Sequence, residues 1–171
     1  MYGTLISSTT VGAGGTSGVT FSSIPQTPYT DLIVVISGRS SGSGNTALNL
    51  NGSASGFSSK AMYAFSSATQ ATYNGATDIG RATGSSDQAN NFGAMTIRIP
   101  NYTNATNKPY SVDATAASYN GGYVTVYGGV WSNTAAITSV TINAPSGTTF
   151  VQYTTVYLYG ITKGSGGATV S

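Results

Sequence analysis

The chain has 171 residues and a formal net charge of +2 from six basic and four acidic side chains, so charged residues make up only 6% of it, against roughly 25% in an ordinary soluble domain. Serine, threonine, asparagine and glycine supply 24, 26, 12 and 23 residues, yet the small net charge and 12 tyrosines argue against a disordered chain, which needs low hydrophobicity together with self-repelling charge. Histidine, cysteine and glutamate are absent, which excludes Ser-His and Cys-His nucleophile pairs, the usual zinc ligand sets and any disulfide framework.

In chain order, apolar residues recur with a period of two and never with the spacing of an amphipathic helix. Strands are predicted at 5–9, 19–24, 30–39, 47–50, 61–65, 78–82, 92–99, 110–119, 122–131, 137–143 and 154–162, separated by Gly/Ser/Asn clusters. The N-terminal Met1-Tyr2-Gly3-Thr4 lacks the basic start and apolar run of a secretory leader. No run of about 20 apolar residues is present to span a bilayer, and the expectation is a protein made in soluble form in a cytoplasm. Gly12-Ala13-Gly14-Gly15 has no following lysine and no helix to open, so it reads as a hairpin loop rather than a phosphate cradle. Leu32-Ile33-Val34-Val35-Ile36 is apolar on both faces and is expected to be a central strand covered on both sides.

The stretch 51–91 is the least patterned and is where surface insertions are expected. In Met95-Thr96-Ile97-Arg98-Ile99 the odd positions face inward, and Pro100 stops the ladder. In the strand at 122–131, Tyr123, Tyr127 and Trp131 share one face while Val124, Val126 and Val130 share the other. Buried, the aromatic stripe is half of a sandwich core or a subunit interface; exposed, it is a platform for stacking on sugar rings. Near the C-terminus Val156 and Leu158 share one face and Tyr153, Thr155, Tyr157 and Tyr159 the other, so both faces require cover and the tyrosines are read as a subunit-interface face. The tail 163–171 is expected to be pinned by other groups. About ten short strands at this spacing, with no linker and no fixed repeat, define one all-β domain over 1–171: an antiparallel two-sheet sandwich, jelly-roll-like.

The four acids, Asp31, Asp78, Asp87 and Asp113, lie at least nine residues apart with no local glycosidase-like pairing, and each is read as a turn or strand-end residue. A single carboxylate in 85–91 is too little charge for a strong calcium site. Arg39, Lys60, Arg81, Arg98, Lys108 and Lys163 are scattered singly, so no basic cluster is present to hold nucleic acid. The reading has no catalytic residue, no cofactor and no metal. With so few charges and prolines to guard sheet edges, the edges and aromatic faces are expected to be closed by partner subunits in a cyclic homo-oligomer, a trimer.

The segments Phe21-Ser22-Ser23-Ile24-Pro25-Gln26-Thr27-Pro28-Tyr29-Thr30-Asp31-Leu32, Leu48-Asn49-Leu50-Asn51-Gly52, Phe92-Gly93 through Asn101-Tyr102, Gly129 through Val140, and Tyr157-Leu158-Tyr159-Gly160-Ile161 resemble small structural proteins of tailed bacteriophages, including marine and cyanobacterial ones. The likeness covers most of the chain and is one of strand signatures rather than of a catalytic motif. Pro28 departs from the simpler Gln-Thr-Tyr run expected there, which alters the turn into the next strand. The resemblance implies a virion protein without active-site residues, whose partners are itself and the major capsid protein or another virion protein. Capsid decoration is the function expected of a module this size with no coiled-coil shaft. The alternative is a tail-fibre or baseplate appendage that binds host-surface carbohydrate through Tyr123, Tyr127 and Trp131.

Overall fold

The structure, a computed structural model, describes residues 3–65, 69–73, 76–118 and 121–162. The tail expected to be pinned, Lys163 among it, and Tyr119 lie outside those residues. Among the described residues twelve strands form two antiparallel sheets. They are β1 (Thr4–Thr10), β2 (Gly18–Phe21), β3 (Tyr29–Gly38), β4 (Gly44–Leu50), β5 (Phe57–Phe65), β6 (Thr69–Tyr73), β7 (Asp78–Ala82), β8 (Gly93–Ile99), β9 (Lys108–Ser118), β10 (Gly121–Trp131), β11 (Val140–Asn143) and β12 (Thr155–Thr162). The larger sheet has the order β1-β12-β3-β8-β9-β10-β5-β6 and the smaller β2-β11-β4-β7. The chain therefore changes sheet at every connection from β1 to β5 and again around β7, β8, β11 and β12. The hairpins β5-β6 and β9-β10 instead widen the larger sheet.

The all-β sandwich follows from alternation. Leu32, Val34 and Ile36 of β3, Ile97 and Ile99 of β8, and Leu158 of β12 are buried on the inner face of the larger sheet. They meet Leu48, Leu50, Ile79, Val140 and Ile142 from the smaller one in one continuous core. Each fully buried aliphatic side chain of this kind contributes about 1.5–3 kcal/mol relative to exposure. In β8 the inward set is Met95, Ile97 and Ile99, with Ala94 and Arg98 exposed, as its alternation predicts.

Several expectations need correction. The loop at Gly12–Gly15 closes with Gly15 N–H donating to Gly12 O at 3.1 Å, but it joins strands of different sheets, so it is a crossing and not a hairpin. Ile137 is buried in a loop before β11 rather than in the strand; its amide donates to Tyr102 O at 3.0 Å. β3 is central in its sheet, but Ile33 and Val35 are only half-buried on the outer side. Among the described residues no second layer covers them, because the smaller sheet packs on the opposite face. β6 has no counterpart among the predicted strands.

Polar side chains fasten the ends of the sandwich. Asn51, in the left-handed region at φ 50°, donates to Ala136 O at 2.9 Å and accepts from the amides of Thr138 and Ser139 at 2.8 and 3.2 Å. Asn tolerates that backbone and its amide ties two loops at once. Lys108 is fully buried, and its ammonium donates to the carbonyls of Asn104 and Thr106 at 2.7 and 2.5 Å, with those of Asn133 and Thr134 at 3.5 and 3.4 Å. Burial pushes its pKa below the ordinary lysine value, while the carbonyl cage supplies the acceptors a buried cation requires.

Two buried tyrosines give the fold an alkaline limit. The Tyr102 hydroxyl donates to Pro25 O; burial, with a smaller contribution from Tyr29, raises its pKa above 10.0. Tyr110, whose hydroxyl lies 3.3 Å from Ala76 O, is raised by burial and by Asp78 against the lowering effect of a hydrogen bond with Ser59. Both phenols hold their protons in the folded state beyond the pH at which the unfolded chain releases them. Their contribution is thus complete below about pH 10 and declines as pH rises through the raised values. Urea midpoints at pH 9, 10 and 11 are expected to fall, and Tyr110→Phe is expected to flatten that fall; a wild-type midpoint constant across this range contradicts the assignment.

Candidate functional site

The outer faces of the two sheets differ in chemistry. On the smaller sheet, outward positions carry Thr20, Thr141, Asn49 and Asn143, with Thr20 and Thr141 hydroxyls 2.9 Å apart. This is a solvated face of the ordinary kind. On the larger sheet, the cross-strand registers place apolar side chains side by side. One row runs Leu5, Tyr159, Ile33, Arg98, Ser111, Gly128, Lys60, and the next runs Ser8, Tyr157, Val35, Thr96, Asp113, Val126, Met62. Met62 is 66% exposed, Val124 53%, Leu5 50% and Val126 45%.

The larger face thus has an apolar patch at each end, Tyr157 and Tyr159 with Ile33 and Val35 on one side and Val124, Val126 and Met62 on the other. Between them stand Arg98 and Asp113, one diagonal step apart on adjacent strands. The described residues hold a single ion pair, Arg81 with Asp87, so these two charges are not paired with each other. Exposed apolar side chains grouped at the two ends make this the candidate docking face.

Of the residues read as an interface face, Tyr157 and Tyr159 lie half-buried on this surface with ring centroids 6.3 Å apart. Tyr153 does not belong to that strand face. It sits in the turn before β12 at φ 72° and 68% exposure, held by its amide donating to Val11 O at 3.0 Å. The strand alternation fails there because the chain turns at 152–153.

The aromatic stripe of β10 turns inward. Tyr127 and Trp131 are 3% and 1% exposed; the Trp131 indole donates to Ser55 O at 3.0 Å and stacks on Phe57 at 6.0 Å. A sugar platform made of Tyr123, Tyr127 and Trp131 is therefore not available, because two of its three rings are filled in by the chain's own core. Tyr123 is half-buried, stacked on Phe65 at 4.2 Å and approached by the Arg81 guanidinium at 4.6 Å. The valines on the reverse of this strand are what meets solvent. Their two-sided apolar pattern was visible in the sequence, but which side faced out was not.

Three of the four acids serve local structure. Asp31 accepts the Asn101 amide at 2.9 Å, Asp78 accepts from the Asn45 side chain at 3.0 Å, and Asp87 accepts the Gly84 amide at 2.7 Å while pairing with Arg81 at 3.3 Å. Among the described residues no group of three or more acids gathers where a metal ion would be held, and no helix is long and apolar enough to cross a membrane. Of the sheet edges, β1 carries no charged residue and is interrupted by one register shift between Leu5 and Ser7, a weak guard against pairing. Comparison with known proteins finds no matching family model, no matching curated protein and no matching solved structure.

Proposed function

We propose that this chain is a non-enzymatic structural subunit of a phage particle, a capsid decoration protein that works by docking the outer face of its larger sheet. The observation that carries the reading is the asymmetry of the two outer faces: one polar, the other bearing Ile33, Val35, Tyr157 and Tyr159 at one end and Val124, Val126 and Met62 at the other. A sheet that needed only solvent outside would carry the threonines and asparagines that this chain already uses on its smaller sheet.

The viral setting rests on the sequence resemblance and is supported by connectivity. The order β1-β12-β3-β8 above β2-β11-β4-β7 supports reading the sandwich as jelly-roll-like, an arrangement that viral capsid and lectin domains share. Fold alone is analogy, and the docking face supplies the chemistry. Low charge suits such contacts, because salt screens exposed ion pairs and leaves apolar burial largely untouched. A standard interface of about 1,600 Å² holds specifically without high affinity, and symmetry multiplies it.

Light scattering at micromolar concentration tests this reading. The expected mass is about three times the 17.2 kDa of one chain, through a cyclic trimer. A monomer at every accessible concentration that also fails to sediment with phage shells overturns it. A neighbouring major capsid gene agrees with decoration; neighbouring baseplate genes favour an appendage.

A further inference from the structure

The larger sheet extends beyond the smaller one. β7 is the last strand of the smaller sheet and packs under β9 and β10, so β5 and β6 overhang its free edge. The overhang and the edge enclose a cleft of about 250 Å³ lined by Asn45, Tyr63, Arg81, Tyr123, Thr125 and Tyr127. Its wall contains an orphan: the Arg81 Nε–H is buried and meets no acceptor among the described residues. A buried donor left unmade is costly, but this nitrogen is closed to solvent, so what the cleft offers a ligand is the side chains that line it.

We propose that this cleft is a binding subsite for one neutral sugar ring of a glycan. Three features select that class. Phenol, threonine hydroxyl and asparagine amide groups line one small space, which matches the closely spaced hydroxyls of a pyranose. The Arg81 charge is already balanced by Asp87 at 3.3 Å, and Asp78 lies 3.0 Å from Asn45, so the site carries no excess positive charge for an anion. A cleft smaller than the roughly 300–1,000 Å³ that takes drug-sized molecules admits a single ring. Tyr123 is already occupied by Phe65 and Arg81, so Tyr63 supplies the flat apolar wall for the sugar's C–H face, and the exposed Asn45 amide meets a ring hydroxyl. This site shares Tyr123 and Tyr127 with the stripe read from the sequence but lies at the edge of the sandwich, where Trp131 takes no part. It is independent of the docking face.

The test is a titration followed by tyrosine-ring proton NMR signals, using glucose, galactose, mannose, N-acetylglucosamine and rhamnose to tens of millimolar, with glucuronate and inorganic phosphate in parallel. Saturable shifts are expected with at least one neutral sugar. Arg81→Lys, which keeps the charge and removes the planar guanidinium from the cleft wall, is expected to weaken binding about tenfold, as is removal of the Tyr63 ring in Tyr63→Ala. The exposed Asn45→Ala, which spares the Arg81–Asp87 pair, provides a further variant that keeps the fold and is expected to weaken binding as well. Absence of saturation with every neutral sugar, preference for glucuronate or phosphate, or binding unchanged in folded Arg81→Lys, Tyr63→Ala and Asn45→Ala overturns the proposal.

Discussion

Trp131→Ala is expected to destabilise the fold by about 3–5 kcal/mol, lowering the thermal midpoint by roughly 10 °C or more in a domain of this size. Among the described residues Trp131 is the largest fully buried side chain, 1% exposed. It closes the end of the core where β10 pairs with Phe57 of β5 and Lys108 of β9. Truncation removes the stack on Phe57, leaves Ser55 O without its indole donor, and opens a void that neighbouring strands cannot collapse to fill. Trp131→Phe retains an aromatic ring and is expected to cost markedly less. Thermal melts followed by far-ultraviolet circular dichroism read the effect. A Trp131→Ala protein that melts like wild type would place the indole at the surface and restore the sugar platform that the structure rules out.

The second large effect concerns assembly. Val126→Lys together with Met62→Glu is expected to weaken self-association about 100-fold, the equivalent of about 3 kcal/mol. The isolated chain should melt within a few degrees of wild type. Val126 lies opposite both Asp113 and Met62, so the two substitutions create an alternating row of charges that satisfy one another on an exposed surface. Net charge is unchanged. An interface forming over that row must desolvate ions where wild type buries a valine and a methionine, and the penalty falls on docking alone. Association as tight as wild type in this variant would mean that contacts lie elsewhere, with the unguarded β1 edge the first place to look.

Much of the fold was legible because strand periodicity is local. In β8 the order Met95-Thr96-Ile97-Arg98-Ile99 declares its inner side without help from any neighbour, and β10 separates rings from valines in the same way. What failed was everything that depends on the partner of a face. Ile33 and Val35 look like core because one sequence records that a face is apolar, not whether this chain or another covers it. Tyr153 has the parity of a strand residue, and only the turn beside it removes it from the sheet face. β6 enters through backbone pairing with β5, a long-range arrangement that leaves little imprint on hydrophobic pattern.

The cleft was harder still. Asn45, Tyr63, Arg81 and Tyr123 come from four strands, and the register that sets Thr125 opposite Tyr63 brings the tyrosines together. An arginine with one unsatisfied nitrogen has no signature in a sequence. By contrast Asp31 and Asp87 do what isolated aspartates next to turn residues are expected to do, accepting backbone amides.

The docking claim is most directly tested by chemical footprinting, since a chain with no cysteine accepts a single one as a unique probe. Thr115→Cys places it on the outer face of the larger sheet beside Val124, and Thr20→Cys places it on the polar face of the smaller sheet. Alkylation is measured with reductant present at dilute and at micromolar concentration. The account predicts that the thiol at 115 becomes at least about tenfold slower to react as concentration rises, while the thiol at 20 keeps its rate. Equal rates at both positions across the whole range would contradict it.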